Sequence, residues 1–175
     1  LLDEQGRDAA ATLGAKAAFA HLDVTREEDW ARVVAEAIRL HGRVDVLVHN
    51  AGTLSGERST NSEGVEITVA SQVVGPFLLT SLLFPALRAA RPGRVITVTS
   101  GGMYAAQLTV DDLQMSPDDY RGSVQYARAK RAQVTLNEMW AERIAPADVV
   151  FHTMHPGWAD TPGVQTAMPR FRTIM

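Results

Sequence analysis

The sequence predicts an α/β fold built on a doubly wound parallel sheet. Helix-like and strand-like segments alternate along almost the whole chain, with single helices between the strands. Such alternation calls for right-handed crossovers between parallel strands. Residues 44–52 are a nearly continuous β-branched run, typical of a strand buried on both faces of a parallel sheet, and residues 93–100 also indicate a buried strand. No internal repeat or low-complexity linker divides residues 1–175, so we expect a single domain.

The N-terminal part of the chain predicts a helix, a strand and a second helix. Residues 3–13 are alanine-rich and amphipathic, which favours a helix, and the short apolar run 17–24 favours a strand. The second helix, over residues 25–42, begins with a capping box, because Glu28 follows the capping residue Thr25 by three positions. A glycine ends each helix, as is common at helix C-termini.

The remaining elements continue the alternation. After a polar loop, the sequence predicts a helix over 64–90, a strand over 93–100, a loop, a helix over 123–144, a strand over 147–157, and a final loop with a short helix over 158–175. In an open parallel sheet, ligands bind at the carboxyl ends of the strands. The four predicted ends read HLDV, VHNAG, TVTSGG and MHPGWADT, so we expect the chemistry there.

Composition excludes several classes of protein and site. The net charge of −3 gives no sign of a nucleic-acid or anionic-membrane partner. The longest apolar run, VVGPFLLTSLLFPAL, contains prolines and is shorter than the roughly 20 residues of a membrane helix, so we expect a buried helix and no membrane segment. The absence of cysteine rules out disulfides, thiolate metal sites and cysteine catalysis, and it is compatible with a cytoplasmic location. His152 and His155 lack an H-E-x-x-H pattern, and we expect no metal site.

Tyr126 and Lys130 stand out because the chain holds 15 arginines and only two lysines. On a helix, residues four apart share a face, with their Cβ atoms about 6 Å apart. An ammonium beside a phenol favours the phenolate and lowers the tyrosine pKa, and such a pair acts as a general acid or base on an alcohol or carbonyl. For a lone Y-x-x-x-K pattern, an exposed lysine beside a packed tyrosine is the commoner case. The strand ends add the hydroxyl of Ser100 and, at Gly52, a glycine that permits close approach of a ligand.

The motifs HLDV, HNAG, VITVTS, YARAK and HPGWADT, in this order, resemble the short-chain dehydrogenase/reductases over essentially the whole chain. The resemblance implies a Rossmann-like fold, one partial dinucleotide-binding and catalytic domain over residues 1–175, and NAD or NADP as cofactor. The implied catalytic set is Ser100, Tyr126 and Lys130, with Gln72 in the place of the family's asparagine. The implied cofactor-binding residues are Asp23 and Val24 at the adenine, Asn50, Ala51 and Gly52 in the pocket wall, Tyr126 and Lys130 beside the nicotinamide, and Pro156, Gly157 and Thr161 closing over it.

The implied reaction interconverts a hydroxyl and a carbonyl on a small alcohol, ketone or aldehyde. Ser100 would hold the substrate oxygen, Tyr126 as phenolate would take the alcohol proton while hydride passes to the nicotinamide, and Lys130 would lower the tyrosine pKa. The helices 64–90 and 123–144 resemble those through which the family forms homo-oligomers, although the same apolar pattern would serve a core. The alternative is a non-catalytic relative, acting as a binding or regulatory protein.

Three features depart from the family pattern. Gln72 carries one methylene more than asparagine. Ser100 and Tyr126 are 26 positions apart, and the extra loop between them resembles that of retinol-dehydrogenase-like and orphan reductases. This loop suits a substrate wall or lid, and equally a solvated surface loop. The third departure is that no glycine-rich dinucleotide turn, G-x-x-x-G-x-G or G-x-G-x-x-G, occurs anywhere in the chain.

The missing turn leads us to expect that this chain is part of a longer protein, which would carry the first two strands and the last strand of the sheet. In the strand order 3-2-1-4-5-6, segments 17–23 and 44–49 would lack partner strands, so residues 1–175 should not fold alone as a complete domain. The residue that chooses between NAD and NADP would lie in the missing part.

Overall fold

The computed structural model describes residues 3–23 and 26–157. The predictions that rest on Val24, Thr25, Thr161 and the loop 158–175 therefore lie outside the described residues. The chain divides into two compact units, Leu1–Val44 and Asp45–Met175. The expectation of a single domain stays a prediction.

The first unit contains both helices that the sequence predicts there. α1 spans Asp3–Leu13 and α2 spans Glu27–His41. The N-cap of α2 is Arg26, which makes no side-chain capping bond. Three acidic residues in the first turn stabilise the helix, because negative charges interact favourably with the positive N-terminal end of the helix dipole. α2 ends at Gly42, whose φ of 76° is a left-handed conformation that glycine adopts without strain, and whose N–H donates to Ile38 O (2.7 Å).

The strand predicted between these helices is not formed in the described residues 17–23, and that prediction was wrong. A strand needs a neighbouring strand to pair its backbone groups, and the regular elements described in the first unit are both helices. Backbone groups of this segment bond to side chains of α2 instead. Asp23 N–H donates to Asp29 Oδ2 (2.8 Å), and His21 O accepts from Arg32 Nη2.

The second unit contains a parallel three-stranded sheet. Its strands are β1 (Val46–His49), β2 (Gly93–Val98) and β3 (Val149–Met154), in the order β1–β2–β3. Val95 on β2 pairs with Leu47 on one side and with Phe151 on the other. Each strand falls within a predicted strand segment, and helices connect consecutive strands. The predicted α/β class with a parallel sheet is confirmed.

Two helical regions connect these strands. The first is continuous and consists of α3 (Ile67–Val69), a π-helical turn (Ala70–Val74) and α4 (Gly75–Ala90). The second, α5, spans Gly122–Arg143 and comes after a 3-10 turn at Gly101–Ala105. Both agree with the predicted helices 64–90 and 123–144 to within a few residues. Gln72 lies inside this π-helical turn, and such turns often occur at functional sites, so Gln72 is a candidate functional residue.

One face of the sheet packs against α4 and α5 and carries the core. Val95 and Val149 are each 1% exposed, and Leu87 of α4 is fully buried. The Trp140 ring of α5 stacks on Phe151 of β3, with ring centroids 5.8 Å apart. Trp140, which is half-buried, therefore packs against the sheet.

The opposite face of β1 is exposed, which corrects the prediction that this strand is buried on both faces. Val46 is 44% exposed and Val48 is 52% exposed, whereas His49 is buried. Side chains alternate along a strand, and α4 packs on the face that carries His49. The β-branched run identified the strand correctly, but the helices described in this unit cover only one of its faces.

The helical region Ile67–Ala90 (24 residues) is long and apolar enough to cross a membrane by length and composition alone, since its most apolar window of 18 residues has a mean hydropathy of 1.7. Of its most apolar window, 33% is buried inside the chain, and core helices of soluble proteins pass the same test. The expectation that the chain has no membrane segment is therefore not confirmed.

Candidate active site

Lys130 is buried at the carboxyl end of β2. Its side chain is 3% exposed, and Nζ donates to the carbonyl of Val98, the last residue of the strand (2.9 Å). Two small buried residues on α5, Ala129 and Ala132, pack against Val69 and Val73 of the preceding helical region. Burial lowers the pKa of Lys130 to about 8, because the ammonium loses hydration. The alternative of an exposed lysine beside a packed tyrosine was wrong.

Tyr126 and Ser100 lie beside this ammonium. Lys130 Nζ lies 5.5 Å from the centroid of the Tyr126 ring, one turn away on α5. Ser100 Oγ caps the 3-10 turn after β2 by accepting from Gly102 N–H (3.3 Å), and the Ser100 side chain is hydrogen-bonded to the Tyr126 hydroxyl. The structure thus brings the three predicted side chains together, while their catalytic roles stay predictions.

The predicted effect of Lys130 on the pKa of Tyr126 needs correction. Burial raises the pKa of Tyr126 above its ordinary value, and the hydrogen bond with Ser100 lowers it by a smaller amount. The ammonium lies over the flat face of the ring and donates to Val98 O, an arrangement that makes a cation–π contact. The phenol therefore keeps its proton at neutral pH.

Gln72 and Lys130 both lie next to Gly52. It is fully buried, and its Nε2 donates to Thr53 O (2.7 Å), which ties the π-helical turn to the N-A-G segment. A Cβ added at Gly52 would lie 3.2 Å from Gln72 Oε1 and 3.3 Å from Lys130 Nζ. Gln72 Oε1 is buried without a hydrogen-bond partner among the residues the structure describes. Gly52 therefore keeps a narrow space open between a buried acceptor and a buried donor.

The end of β3 approaches Ser100 through His155. Gly157 has a φ of 80°, and its N–H donates to His155 Nδ1 (3.0 Å). The His155 ring lies against Gly101, because a Cβ added there would be 3.1 Å from His155 Nε2. Pro156 and Gly157 follow directly and are exposed. The predicted P-G turn thus lies near the serine.

Two other predicted cofactor residues, Asn50 and Ala51, directly precede Gly52 in the chain. Asn50 and Ala51 follow β1 and are exposed, and Asp23 belongs to the first unit. Val24 and Thr161 lie outside the described residues. Within the described part of the chain, no group of three or more His, Asp or Glu side chains is placed to hold a metal ion.

Sequence reasoning missed three groups that hold this site together. Thr99 Oγ1 donates to Lys130 O (3.4 Å) and so joins the end of β2 to α5. The position of Thr99 directly before Ser100 could have indicated its role, as could the position of His155 directly before the Pro-Gly turn. The third group, the carbonyl of Val98, leaves no trace in the pattern of side chains.

A cavity of about 20 Å³ lies between the sheet and helices α4 and α5, with Gln72 and Gln133 in a largely apolar wall. His49 also lines it, 8% exposed, and its Nε2 is hydrogen-bonded to Thr80 Oγ1 (2.8 Å). Both amide atoms of Gln133 lack partners among the described residues, and the volume is enough for about one water molecule. Burial lowers the pKa of His49 to about 4.

We expect His49 to make the protein acid-sensitive. As the pH falls from 6.5 towards 4, the unfolded chain binds a proton at His49 and the buried imidazole does not, so the free energy of unfolding should fall by about 3 kcal/mol. Urea unfolding at several pH values measures this dependence. His49→Gln should weaken it, and the exposed His152→Gln should leave it intact. Equal pH slopes for wild type and His49→Gln would contradict the assignment.

The sequence of this chain is similar to those of known proteins. The short chain dehydrogenase family matches residues 2–170. Dehydrogenase/reductase SDR family member 12 from Homo sapiens is 43% identical over 136 residues, which are 78% of this chain and 42% of the relative. Retinol dehydrogenase 13 from Homo sapiens is 31% identical over 141 residues, 81% of this chain and 43% of the relative. The chain thus spans less than half the length of these two relatives.

Solved structures share the fold. The 3-ketoacyl-(acyl-carrier-protein) reductase from Brucella melitensis, complexed with NADH, superposes with a TM-score of 0.74 at 25% identity, covering 98% of this chain and 68% of the reductase. The parallel sheet of the second unit therefore belongs to a Rossmann-like fold, as expected. Because the family match runs over nearly the whole chain, this protein chain belongs to the short-chain dehydrogenase family.

Proposed function

We propose that this chain forms the catalytic part of an NAD(P)-dependent oxidoreductase that interconverts a hydroxyl and a carbonyl on a small organic molecule. The observation that carries the proposal is the buried ammonium of Lys130 beside Tyr126 and Ser100. Burying an ammonium costs stability, so its retention calls for a role other than folding. Proton transfer beside a nicotinamide is such a role, and family membership supports it.

Tyr126 is the proposed proton donor in the direction of reduction. The carbonyl carbon would receive the hydride that NADH or NADPH supplies, and the carbonyl oxygen would receive the Tyr126 proton. The C=O π bond and the Tyr126 O–H bond would break, a C–H and an O–H bond would form on the substrate, and Tyr126 would be left as the phenolate. The raised pKa of Tyr126 suits this direction, because the protonated phenol is the required acid. Ser100 Oγ donates a hydrogen bond to the same oxygen, and oxidation of an alcohol reverses these steps.

The groups around Gly52 fit a nicotinamide nucleotide. The Lys130 ammonium has three N–H donors, and Val98 O takes one of them, which leaves the compact ammonium able to reach ribose hydroxyls. Bound there, NAD or NADP would supply the hydride or take it up. We also propose cofactor contacts for Asp23, Val24, Asn50, Ala51, Pro156, Gly157 and Thr161. Gln72 would act next to Lys130, since both flank Gly52.

Cofactor titration followed by turnover tests the proposed function. NADH and NADPH are added to the full-length protein while nicotinamide fluorescence is followed, and a panel of small ketones and aldehydes is then screened for loss of absorbance at the reduced nicotinamide band. Binding and substrate-dependent oxidation support the oxidoreductase. Binding without turnover of any substrate would favour the non-catalytic alternative, and no binding of either nucleotide would contradict the proposal.

Gly52→Ala is expected to weaken cofactor binding. Its Cβ would press on Gln72 Oε1 and Lys130 Nζ, at 3.2 and 3.3 Å. Overpacking of this kind typically costs about 1–2 kcal/mol. If Gln72 and Lys130 are displaced at that cost in the complex, the Kd for NADH or NADPH rises by about tenfold. Gly56→Ala is the matched control, since no atom lies within 4 Å of its added Cβ. Equal Kd values for the two variants would argue against a cofactor at Gly52.

Location and assembly are further parts of the proposal. We propose a cytoplasmic protein with a small alcohol, ketone or aldehyde as substrate, no nucleic-acid partner and no membrane segment. Homo-oligomerisation is supported by exposed apolar side chains on α4, since Phe77, Leu78 and Leu82 are 47%, 53% and 67% exposed. Light scattering during gel filtration would measure the mass, and a monomer would contradict the assembly.

A further inference from the structure

Glu66 is a buried carboxylate at the start of the helical region that carries Gln72. It is 0% exposed, and each of its two oxygens accepts a hydrogen bond. Oε2 accepts from Val69 N–H (3.0 Å) and so caps α3, while Oε1 accepts from the hydroxyl of Tyr120 (3.1 Å). Its backbone N–H donates to Gln114 Oε1 (2.9 Å). One residue therefore joins this helical region to the loop between Ser100 and Tyr126 at two points.

Further contacts hold the same half of that loop. Arg58 Nε donates to Met115 O (3.0 Å), and Gln125 Nε2 on α5 donates to Leu113 O (2.8 Å). Arg128 Nη1, also on α5, donates to the carbonyl and the carboxylate of Asp112, each at 3.0 Å. The segment 112–121 is thus bonded to residues before it and after it in the chain.

The preceding half of the loop is different. Leu108 is 38% exposed and Val110 is 72% exposed, and neither side chain takes part in these contacts. The two predicted alternatives for the extra loop, a substrate wall or lid and a solvated surface loop, therefore do not apply evenly along it. Residues 112–121 are the part of the loop that these hydrogen bonds hold, although most of them are exposed as well, and we call this segment the support.

The support leads directly into α5. Tyr120 is two residues before the first residue of that helix, and Tyr126 is six residues after Tyr120. Gly122, at the helix start, packs so closely on the carbonyl of Ser55 that an added Cβ would overlap it. Tyr120 and Gly122 are thus both held at the start of α5, the helix on which Tyr126 lies.

We propose that Glu66 is a positioning residue of the active site: by capping α3 and holding Tyr120, it sets the distance between Tyr126 on α5 and Gln72 in the π-helical turn. The inference rests on the proposed oxidoreductase function. A buried carboxylate is costly unless hydrogen-bonded, and this one uses both oxygens on groups that lead to proposed catalytic residues. Reactive groups need placement to within a fraction of an ångström, because an error of about 1 Å costs on the order of a hundredfold in rate.

Glu66→Gln and Tyr120→Phe are the test variants. In Glu66→Gln, the amide oxygen can still cap Val69 N–H, while the NH2 group can only donate to the Tyr120 hydroxyl, so the charge-assisted bond is replaced by a reversed, neutral one. Tyr120→Phe removes the bond altogether. We expect kcat to fall about tenfold in each variant, with the Kd for NADH or NADPH within about twofold of wild type. The double variant should fall no further than Tyr120→Phe alone, because both changes act on one contact. Glu63→Gln, at an exposed glutamate of the same segment, is the control.

A merely structural role gives a different result. Additive losses in the double variant, or a lower Tm with unchanged kcat, would overturn the positioning role. Hydrogen exchange supplies a second readout that does not depend on turnover. Amides of 112–126 should exchange faster in both single variants than in wild type, and unchanged exchange there would overturn the proposal. If wild type itself binds no nicotinamide nucleotide, the proposed function fails while the exchange result still decides whether Glu66 holds this segment.

Discussion

Tyr126→Phe is expected to reduce hydride transfer by a factor of about 10² to 10⁴, the usual contribution of a general acid or base. The substitution removes one hydroxyl from a half-buried ring and leaves the ring in place over Lys130. In the reducing direction, the substrate oxygen then gains no proton from the protein as hydride arrives. Ser100 still donates its hydrogen bond, so weak residual activity is expected.

Cofactor binding separates this outcome from a general loss of structure. The Kd for NADH or NADPH should stay within about twofold of wild type, since Lys130 and Gly52 are unchanged. Tyr104→Phe is the matched control, because Tyr104 is 81% exposed and should show wild-type turnover. A Tyr126→Phe protein with full activity would mean that the proton comes from another group.

Lys130→Met is expected to abolish turnover without lowering stability at pH 7. Burial lowers the pKa of Lys130 from 10.5 to about 8, so the folded chain bears a cost of about 3 kcal/mol below pH 8. Methionine is similar in length and carries no charge, and it loses the bond to Val98 O and the cation–π contact with Tyr126, together worth about 1–3 kcal/mol. The free energy of unfolding should therefore stay equal or rise by up to about 2 kcal/mol.

The pH dependence of stability checks the same lysine. Between pH 8 and 10.5, the unfolded chain keeps the Lys130 proton that the folded chain has lost, so wild-type stability should rise with pH in this range. Lys130→Met should not show the rise. Lys16→Met alters the other lysine of the chain, which is exposed, and should behave as wild type.

The pH profile of turnover gives the functional half of the experiment. Activity should decline above about pH 8, where Lys130 loses its charge. A Lys130→Met variant that keeps turnover, or one that loses several kcal/mol of stability at pH 7, would contradict a functional reason for burying this ammonium.

Local patterns in the sequence were enough to predict most of the secondary structure. Helical periodicity and terminal glycines predicted α1, α2 and α5 to within a few residues, and β-branched runs located β1 and β2. The strand expected near residues 17–23 failed because a strand depends on a partner that a local pattern does not reveal. The prediction that β1 is buried on both faces was also wrong, because the burial of Val46 and Val48 depends on which segments cover the second face of the sheet.

The candidate site, too, could be predicted from the sequence only in part. Spacing alone placed Tyr126 and Lys130 on one face of a helix, and strand ends pointed to Ser100 and Gly52. The direction of the Tyr126 pKa shift was wrong because it depends on burial, and burial depends on packing around the ring. Gln72 was singled out as a departure from the family, but its bond to Thr53 O was visible only in the folded chain.

By itself, the sequence determined the order of helices and strands and the residue types offered at the strand ends, because both follow from neighbours within a few positions. Only the tertiary structure decided that Lys130 is buried, that its ammonium lies over the Tyr126 ring, and that Glu66 bonds a tyrosine 54 positions away. Desolvation and long-range hydrogen bonds arise when distant segments meet, and no spacing within one segment encodes where they meet.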